Sequence, residues 1–350
     1  MSGPLTMRAV RYLGPAQPFA LKAVAIPSPG PGEVRIRVKA CGVCRTELHL
    51  REGLLDLGRR DFTVGHEIAG VIDAVGPGGD EGRIGQKVVA YYYVGCGDCA
   101  YCRTGDEHLC PQPKAQPGFT TDGGYAEEIV VPARNAVPAP DHVDLAAAAP
   151  MGCAGSTAVH AGKLARMRPG EWVVIHGAGG VGLVLLQYAR LAGARVIAVG
   201  LGAERMALAR KLGAEAVIDA GESPDVAADV IALTGGGADV VFELVGTTAT
   251  MKTAMNLLRR RGRMVMIGYT TQTYEAHPIE LIVRELTVMG SVGSTLQDLH
   301  EIMDLLGRGL IRSTVDMTLP LERFAEALEA VDSGRLLGRV VLIPDTEPTA

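Results

Sequence analysis

No stretch of about 18 residues in this 350-residue chain runs apolar without Gly, Pro or a polar break, so no membrane-spanning helix is expected. The most apolar candidate, LAAAAPMGCAGSTAV, is built of small residues and carries a proline. The opening MSGPLTMRAV has no basic region leading into an apolar one, so no signal peptide is expected. Strong charge is also missing. A net charge of −5 gives neither a footprint for nucleic acid nor a polybasic membrane anchor. Repeats and low-complexity segments are absent. What is left is a globular composition, 47% apolar and 21% charged, with the cytoplasm as the expected location. At about 150 residues per domain, two domains are expected.

Cysteine is sparse, yet four of the seven crowd into CGDCAYCRTGDEHLC, as Cys96, Cys99, Cys102 and Cys110 in the pattern C-x2-C-x2-C-x7-C. A reducing compartment disfavours disulfides, which turns the cluster towards metal ligation. Four thiolates suit tetrahedral zinc and leave no position open, so such a site holds a loop together and does no chemistry. An iron–sulfur cluster also takes four cysteines, and Pro111 directly after Cys110 fits that alternative.

Cys41, Cys44 and Cys153 remain, and GHEIAGVIDAVG sets His66 and Glu67 at the head of an apolar strand. A catalytic zinc takes three protein ligands and keeps a fourth position open. Cys44, His66 and Cys153 could supply that set if folding brings them together. CGVC equally reads as a redox pair, and a lone buried cysteine as a small apolar residue.

The texture of the chain changes near residue 150. Before it, Gly- and Pro-rich sequence carries β-branched runs such as EVRIRVKA, IAGVIDAV and AEEIVVPA, as in a β-rich domain. After it, strands and helices alternate. WVVIHGAGG, ARVIAVG, EAVIDA, ADVVFELVG, RMVMIGY and LTVMGSV read as strands. Between them VGLVLLQYARLAGA, ERMALARKLGA, DVAADVIALTGG and TMKTAMNLLRRRG read as helices. That beat predicts a parallel sheet covered on both faces. Two amphipathic helices, LQDLHEIMDLLGRG and LERFAEALEAVDSG, and the strand GRVVLIP follow, and the DTEPTA tail is expected to fray.

WVVIHGAGGVG closes a strand and opens a helix, with Gly177, Gly179 and Gly182 in the pattern G-x-G-x-x-G and Gly180 and Val181 completing the turn. The glycines allow the turn, the approach of a pyrophosphate and close helix–strand packing, so a dinucleotide is expected there. The second strand, however, ends on Gly200 and not on the usual acid, followed by Leu201, Gly202, Ala203, Glu204 and Arg205. Nothing then repels a 2′-phosphate. Arg205 either pairs with that phosphate or is a solvated helix residue, and Glu204 could instead reach the ribose. The cofactor is thus NADP(H) or NAD(H), with NADP(H) slightly ahead.

Taken in order, CGVCRTELH, GHEIAGVIDAVG, CGDCAYCRTGDEHLC, MGCAGSTA and GAGGVG resemble the zinc-containing medium-chain alcohol dehydrogenases, especially bacterial and archaeal ones. The resemblance runs from about Met7 to Pro344 and leaves residues 1–6 as an extension. It implies an α/β fold in which a Rossmann doubly wound parallel sheet (154–295) is inserted into a β-rich, chaperonin-10-like (GroES-like) catalytic domain (1–153 plus 296–350). It further implies two zinc ions per subunit. Cys44, His66 and Cys153 would hold the catalytic one, with Glu67 beside it, and the four-cysteine loop the structural one. Cys41 would be a buried apolar residue.

In the same resemblance Thr46 and His49 match a proton relay, although His49 could equally be a surface histidine. Arg45 matches a pyrophosphate contact. Glu47 replaces a more usual Asp beside His66 and would have Arg339 as its partner. Tyr92 would line the substrate pocket, with Tyr91 and Tyr93 on the opposite face of a strand. The implied reaction is reversible hydride transfer between an alcohol and NAD(P)+, giving an aldehyde or ketone. The partners expected are a small-molecule substrate and further copies of the chain, as a homodimer or homotetramer joined through LTVMGSV. Two alternatives remain open: an NADPH-dependent reductase of an aldehyde or activated C=C bond, and a non-catalytic nucleotide-binding redox sensor.

Overall fold

A computed structural model describes residues 5–344; the DTEPTA tail and residues 1–4 of the proposed extension lie outside them. The chain divides into two units. One comprises the sequence up to Ser156 together with that from Ser294 onward, and the other is Thr157–Gly293. The expected junctions were 153/154 and 295/296. No helix among the described residues is long and apolar enough to cross a membrane.

The first unit is built around the strand Glu33–Val43. In EVRIRVKA, Val34, Ile36, Val38 and Ala40 are buried while the intervening Arg and Lys residues face outward, the period of two expected of a half-buried strand. It pairs antiparallel with Glu67–Val75, Glu128–Pro132 and Arg339–Ile343, so sequence from before and after the second unit shares one seven-stranded sheet. Thr6–Tyr12, Ala20–Ala25 and Phe62–Thr63 form a separate three-stranded sheet.

The second unit is a six-stranded, all-parallel sheet. Across it the strands run Ala216–Asp219, Arg195–Gly200, Trp172–His176, Ala238–Glu243, Leu258–Met266 and Thr287–Gly290. In chain order that is 3-2-1-4-5-6, the doubly wound dinucleotide-binding topology. Its strands are continuous apolar runs because both faces are covered; Val173, Val174, Ile175, Val240, Val241 and Phe242 are fully buried.

One expected helix is shorter than its sequence suggested. The helix runs Thr248–Leu257, so TMKTAMNLLRRRG is helical only as far as Leu257 and the arginine run belongs to the next strand. Leu258 pairs with Ala238 and is buried among Val241 and Ala254, so the sheet claims it. Arg259 then meets Asp239, and Arg261, at φ +60°, turns out to pair with Glu285 at 2.6 Å.

Candidate active site and metal centres

Four buried side chains from three parts of the first unit converge. Cys44 leaves the end of the strand Glu33–Val43 and caps the helix Arg45–Glu52. His66 and Glu67 open the neighbouring strand, and Cys153 follows the turn Ala149–Gly152. One ligand atom from each of Cys44, His66, Glu67 and Cys153 lies within 4.8 Å of the others. Gly42 makes room for this: it faces Glu67 in the strand register, and a Cβ there would stand 2.0 Å from Glu67 Oε2.

The surrounding polar groups orient the cluster. Glu47, fully buried, accepts a hydrogen bond from His66 Nδ1 at 2.8 Å and another from the Cys44 N–H at 2.9 Å. That leaves His66 Nε2 to face a metal, the usual arrangement for a ligating histidine. The expected Glu47–Arg339 pair does not form. Arg339 Nη2 lies 3.2 Å from Glu67 Oε1 instead, because Glu47 is already engaged by His66 and the start of its own helix.

Charges press on one another here. Burial alone would lower the His66 pKa, but Glu47 and Cys44 raise it to about 10. Glu67 is pushed up to about 8, chiefly by burial, against the pull of Arg339. Cys44 is held well below the usual thiol range, first by the hydrogen-bonding Cys153 thiol and then by Arg339 and His66. Neither Glu67 carboxylate oxygen has a hydrogen-bond partner, although both are buried. Two thiols, an imidazole and a carboxylate whose oxygens carry no hydrogen bond form a donor set that fits zinc.

Thr46 Oγ1 lies 3.3 Å from Cys44 Sγ, which puts its hydroxyl at the cluster. His49, three residues on and on the same helical face, is buried, and burial lowers its pKa. Arg45 is exposed, with Nη2 4.0 Å from Asp332 Oδ1. Cys41 is completely buried, its sulfur packed where a side chain at Gly124 would sit.

Tyr92 stands edge-on to His66 with ring centroids 5.0 Å apart. Tyr93 is not on the opposite side: its ring is 4.4 Å from that of Tyr92 and the two hydroxyls are 3.4 Å apart. The strand Lys87–Ala90 has already ended, so strict alternation no longer holds across 91–93. Tyr91 does turn elsewhere and donates to the Ser294 carbonyl at 2.7 Å. Phe119 completes the aromatic wall, 4.6 Å from His66 and 5.5 Å from Tyr92. Sequence reading missed it; its only signal was a lone aromatic in the glycine-rich GFTTDGG.

The sulfurs of Cys96, Cys99, Cys102 and Cys110 also lie within 4.8 Å of one another. Cys96–Cys102 and Cys99–Cys110 are 3.9 Å apart, too far for a disulfide. A tetrahedron of sulfurs at the usual zinc–sulfur distance has edges of about 3.8 Å. Backbone N–H groups of Cys96, Cys99 and Cys102 donate to the sulfurs of Cys110, Cys96 and Cys99 at 3.3–3.4 Å, which favours thiolates. This loop too fits zinc, with every position filled.

In the second unit the turn GAGGVG lies at the carboxyl end of Trp172–His176. Gly177 has φ +116°, and a Cβ at Gly182 would stand 2.1 Å from the Gly177 carbonyl oxygen. Gly179 faces open space and precedes the 12-residue helix Gly180–Leu191, whose first amides, with Val181 among them, have no side-chain cap. A cradle of this shape fits a pyrophosphate. Gly200 ends the adjacent strand, and Arg205 is half-buried on the helix Ala203–Lys211.

Known proteins share this architecture. The model of the alcohol dehydrogenase GroES-like domain matches residues 30–141, and that of the zinc-binding dehydrogenases residues 180–308. An alcohol dehydrogenase of Geobacillus stearothermophilus is 36% identical over 331 residues, covering 94% of this chain and 97% of that protein. The alcohol dehydrogenase of the hyperthermophilic archaeon Aeropyrum pernix superposes with a TM-score of 0.90 at 34% identity, over 96% of this chain and 100% of the other. A cobalt- and zinc-bound thermostable alcohol dehydrogenase of Pyrobaculum aerophilum gives 0.87 at 32% identity, over 97% and 100%. With relatives above 30% identity along nearly its whole length, the chain belongs to the zinc-binding, GroES-like alcohol dehydrogenase family.

Proposed function

We propose that this chain is an alcohol dehydrogenase that holds one catalytic and one structural zinc and works with a nicotinamide dinucleotide. The reaction takes a hydride from the carbinol carbon to the nicotinamide and releases the hydroxyl proton, leaving an aldehyde or ketone. The observation that carries this reading is the convergence of Cys44, His66, Glu67 and Cys153 in one buried cluster with Thr46 beside it. Family membership supports the reaction class.

When bound, zinc supplies the Lewis acidity that makes an alcohol hydroxyl acidic at neutral pH, and the nicotinamide supplies the hydride acceptor. The rest falls to the chain. Cys44, His66 and Cys153 hold the metal, and Glu47 fixes the His66 ring. Glu67, neutralised by Arg339, stands beside the ligands. Thr46 Oγ1 accepts the substrate's proton as it gives up its own hydroxyl proton, and the imidazole of His49 takes that proton outward. Tyr92 and Phe119 form an apolar wall that orients the substrate and keeps water out. Gly177, Gly179, Gly180, Val181, Gly182 and Gly200 cradle the dinucleotide.

The edge strand Thr287–Gly290 exposes Val288, and Ile282 and Val292 are exposed nearby, which supports pairing with a second copy as a dimer or tetramer. A cytoplasmic home suits thiol ligands that must stay reduced.

The experiment is a panel of primary, secondary, aromatic and aliphatic alcohols, each tried with NAD+ and NADP+ and followed by the absorbance of the reduced nicotinamide. Alcohol-dependent reduction is expected with at least part of the panel. No reduction with any pair by zinc-replete protein would overturn the assignment.

A further inference from the structure

An acidic residue usually closes the second strand of a dinucleotide-binding sheet and holds the ribose 2′-hydroxyl. Here the strand Arg195–Gly200 closes on glycine. A Cβ at Gly200 would meet Met206 Cε at 2.7 Å and Ala178 Cβ at 3.4 Å, so Met206 fills the space beside the glycine turn. The carboxylate comes from the next strand. Asp219 ends Ala216–Asp219 and is the register partner of Gly200. The Gly202 N–H lies 3.2 and 3.1 Å from its Oδ1 and Oδ2, and the Gly221 N–H donates to Oδ1 at 3.0 Å. Amides from the loops leaving both strands thus fix a negative charge beside the carboxyl end of Arg195–Gly200.

We propose that Asp219 replaces the missing acid, accepts the ribose 2′-hydroxyl and makes the protein select NAD(H) over NADP(H), the reverse of the preference read from the sequence. This rests on the reading of the glycine turn as the nicotinamide dinucleotide site. A carboxylate offers about four lone-pair directions, and two amides leave room for a hydroxyl donor. A 2′-phosphate brings nearly two negative charges and only acceptors. Because the backbone holds Asp219, it cannot swing aside to relieve the repulsion. Glu204, the acid nearest in sequence to Gly200, is exposed on the first turn of the helix Ala203–Lys211.

The test measures equilibrium binding of NADH and NADPH by nucleotide fluorescence, without alcohol, for the zinc-replete protein, Asp219→Asn and Glu204→Gln. The wild type is expected to bind NADH at least about tenfold more tightly than NADPH, a difference of about 1.4 kcal/mol, because the 2′-phosphate meets a fixed like charge. Asp219→Asn keeps the amide acceptor and is expected to shrink that ratio about tenfold, mostly by tightening NADPH, while Glu204→Gln leaves it unchanged. A wild type that prefers NADPH overturns the proposal without any variant. So does an unchanged ratio in Asp219→Asn, or a ratio that moves with Glu204→Gln instead. Absence of alcohol turnover with both cofactors would instead sink the dehydrogenase reading, so the two failures are separable.

Discussion

At the scale of single residues, the proposed zinc cluster depends on groups outside its donor set. Glu47 holds His66 through Nδ1, and such partners typically govern metal affinity by about 10- to 100-fold. Glu47→Gln is therefore expected to lose zinc to a chelator about 10 to 100 times more readily, measured by competition with a colorimetric zinc indicator. Equal retention would show that His66 needs no such anchor. Gly42 acts by what it lacks. Gly42→Ala would drive a methyl group to within 2.0 Å of Glu67 Oε2 and 2.9 Å of its Cβ, at a cost of about 1–3 kcal/mol. Denaturant unfolding that matches the wild type would refute this steric reading.

Elements add their own terms. The helix Leu296–Gly307 starts with a reciprocal cap: Thr295 Oγ1 accepts from the Asp298 N–H at 3.1 Å, and Asp298 Oδ2 accepts from the Thr295 N–H at 2.9 Å. Thr295→Ala should cost about 1 kcal/mol in unfolding free energy. The strand Trp172–His176 carries a different liability, since burial pushes the His176 pKa down from 6.5 to about 4. The unfolded chain takes up that proton below 6.5 and the folded chain only near 4. Its contribution is therefore complete above pH 6.5 and is lost as pH falls towards 4, a span worth about 3 kcal/mol. His176→Gln should flatten the stability profile in that window relative to wild type, which pH-dependent denaturation reads directly.

Legibility in the sequence also divides by element. The parallel strands were visible because WVVIH, ARVIAVG and ADVVFE are apolar runs punctuated by glycine, and burial on both faces demands such runs. The segment LRRRG was not, because its state is set by Ala238 and Asp239 some twenty residues earlier and by Glu285 later. Short cysteine spacings announced the loop at Cys96–Cys110. The Glu67–Arg339 pair spans the chain from one end to the other, and local pattern carries no trace of which carboxylate the arginine meets. Asp219 was equally invisible, since its position beside Gly200 comes from strand register alone.

For the molecule as a whole, the consequence is that two clusters whose donors fit zinc lie in one unit while the glycine turn proposed to cradle the dinucleotide lies in the other. The four-cysteine loop should matter for stability and the Cys44–His66–Cys153 cluster for turnover. The most direct measurement is zinc content per chain, by inductively coupled plasma mass spectrometry, in wild type and in Cys44→Ser alongside alcohol turnover. Wild type should carry about two zinc ions, and Cys44→Ser about one, folded but without turnover. Unaltered zinc content in Cys44→Ser, or full turnover by zinc-free protein, would contradict the assignment of that cluster as the reacting centre.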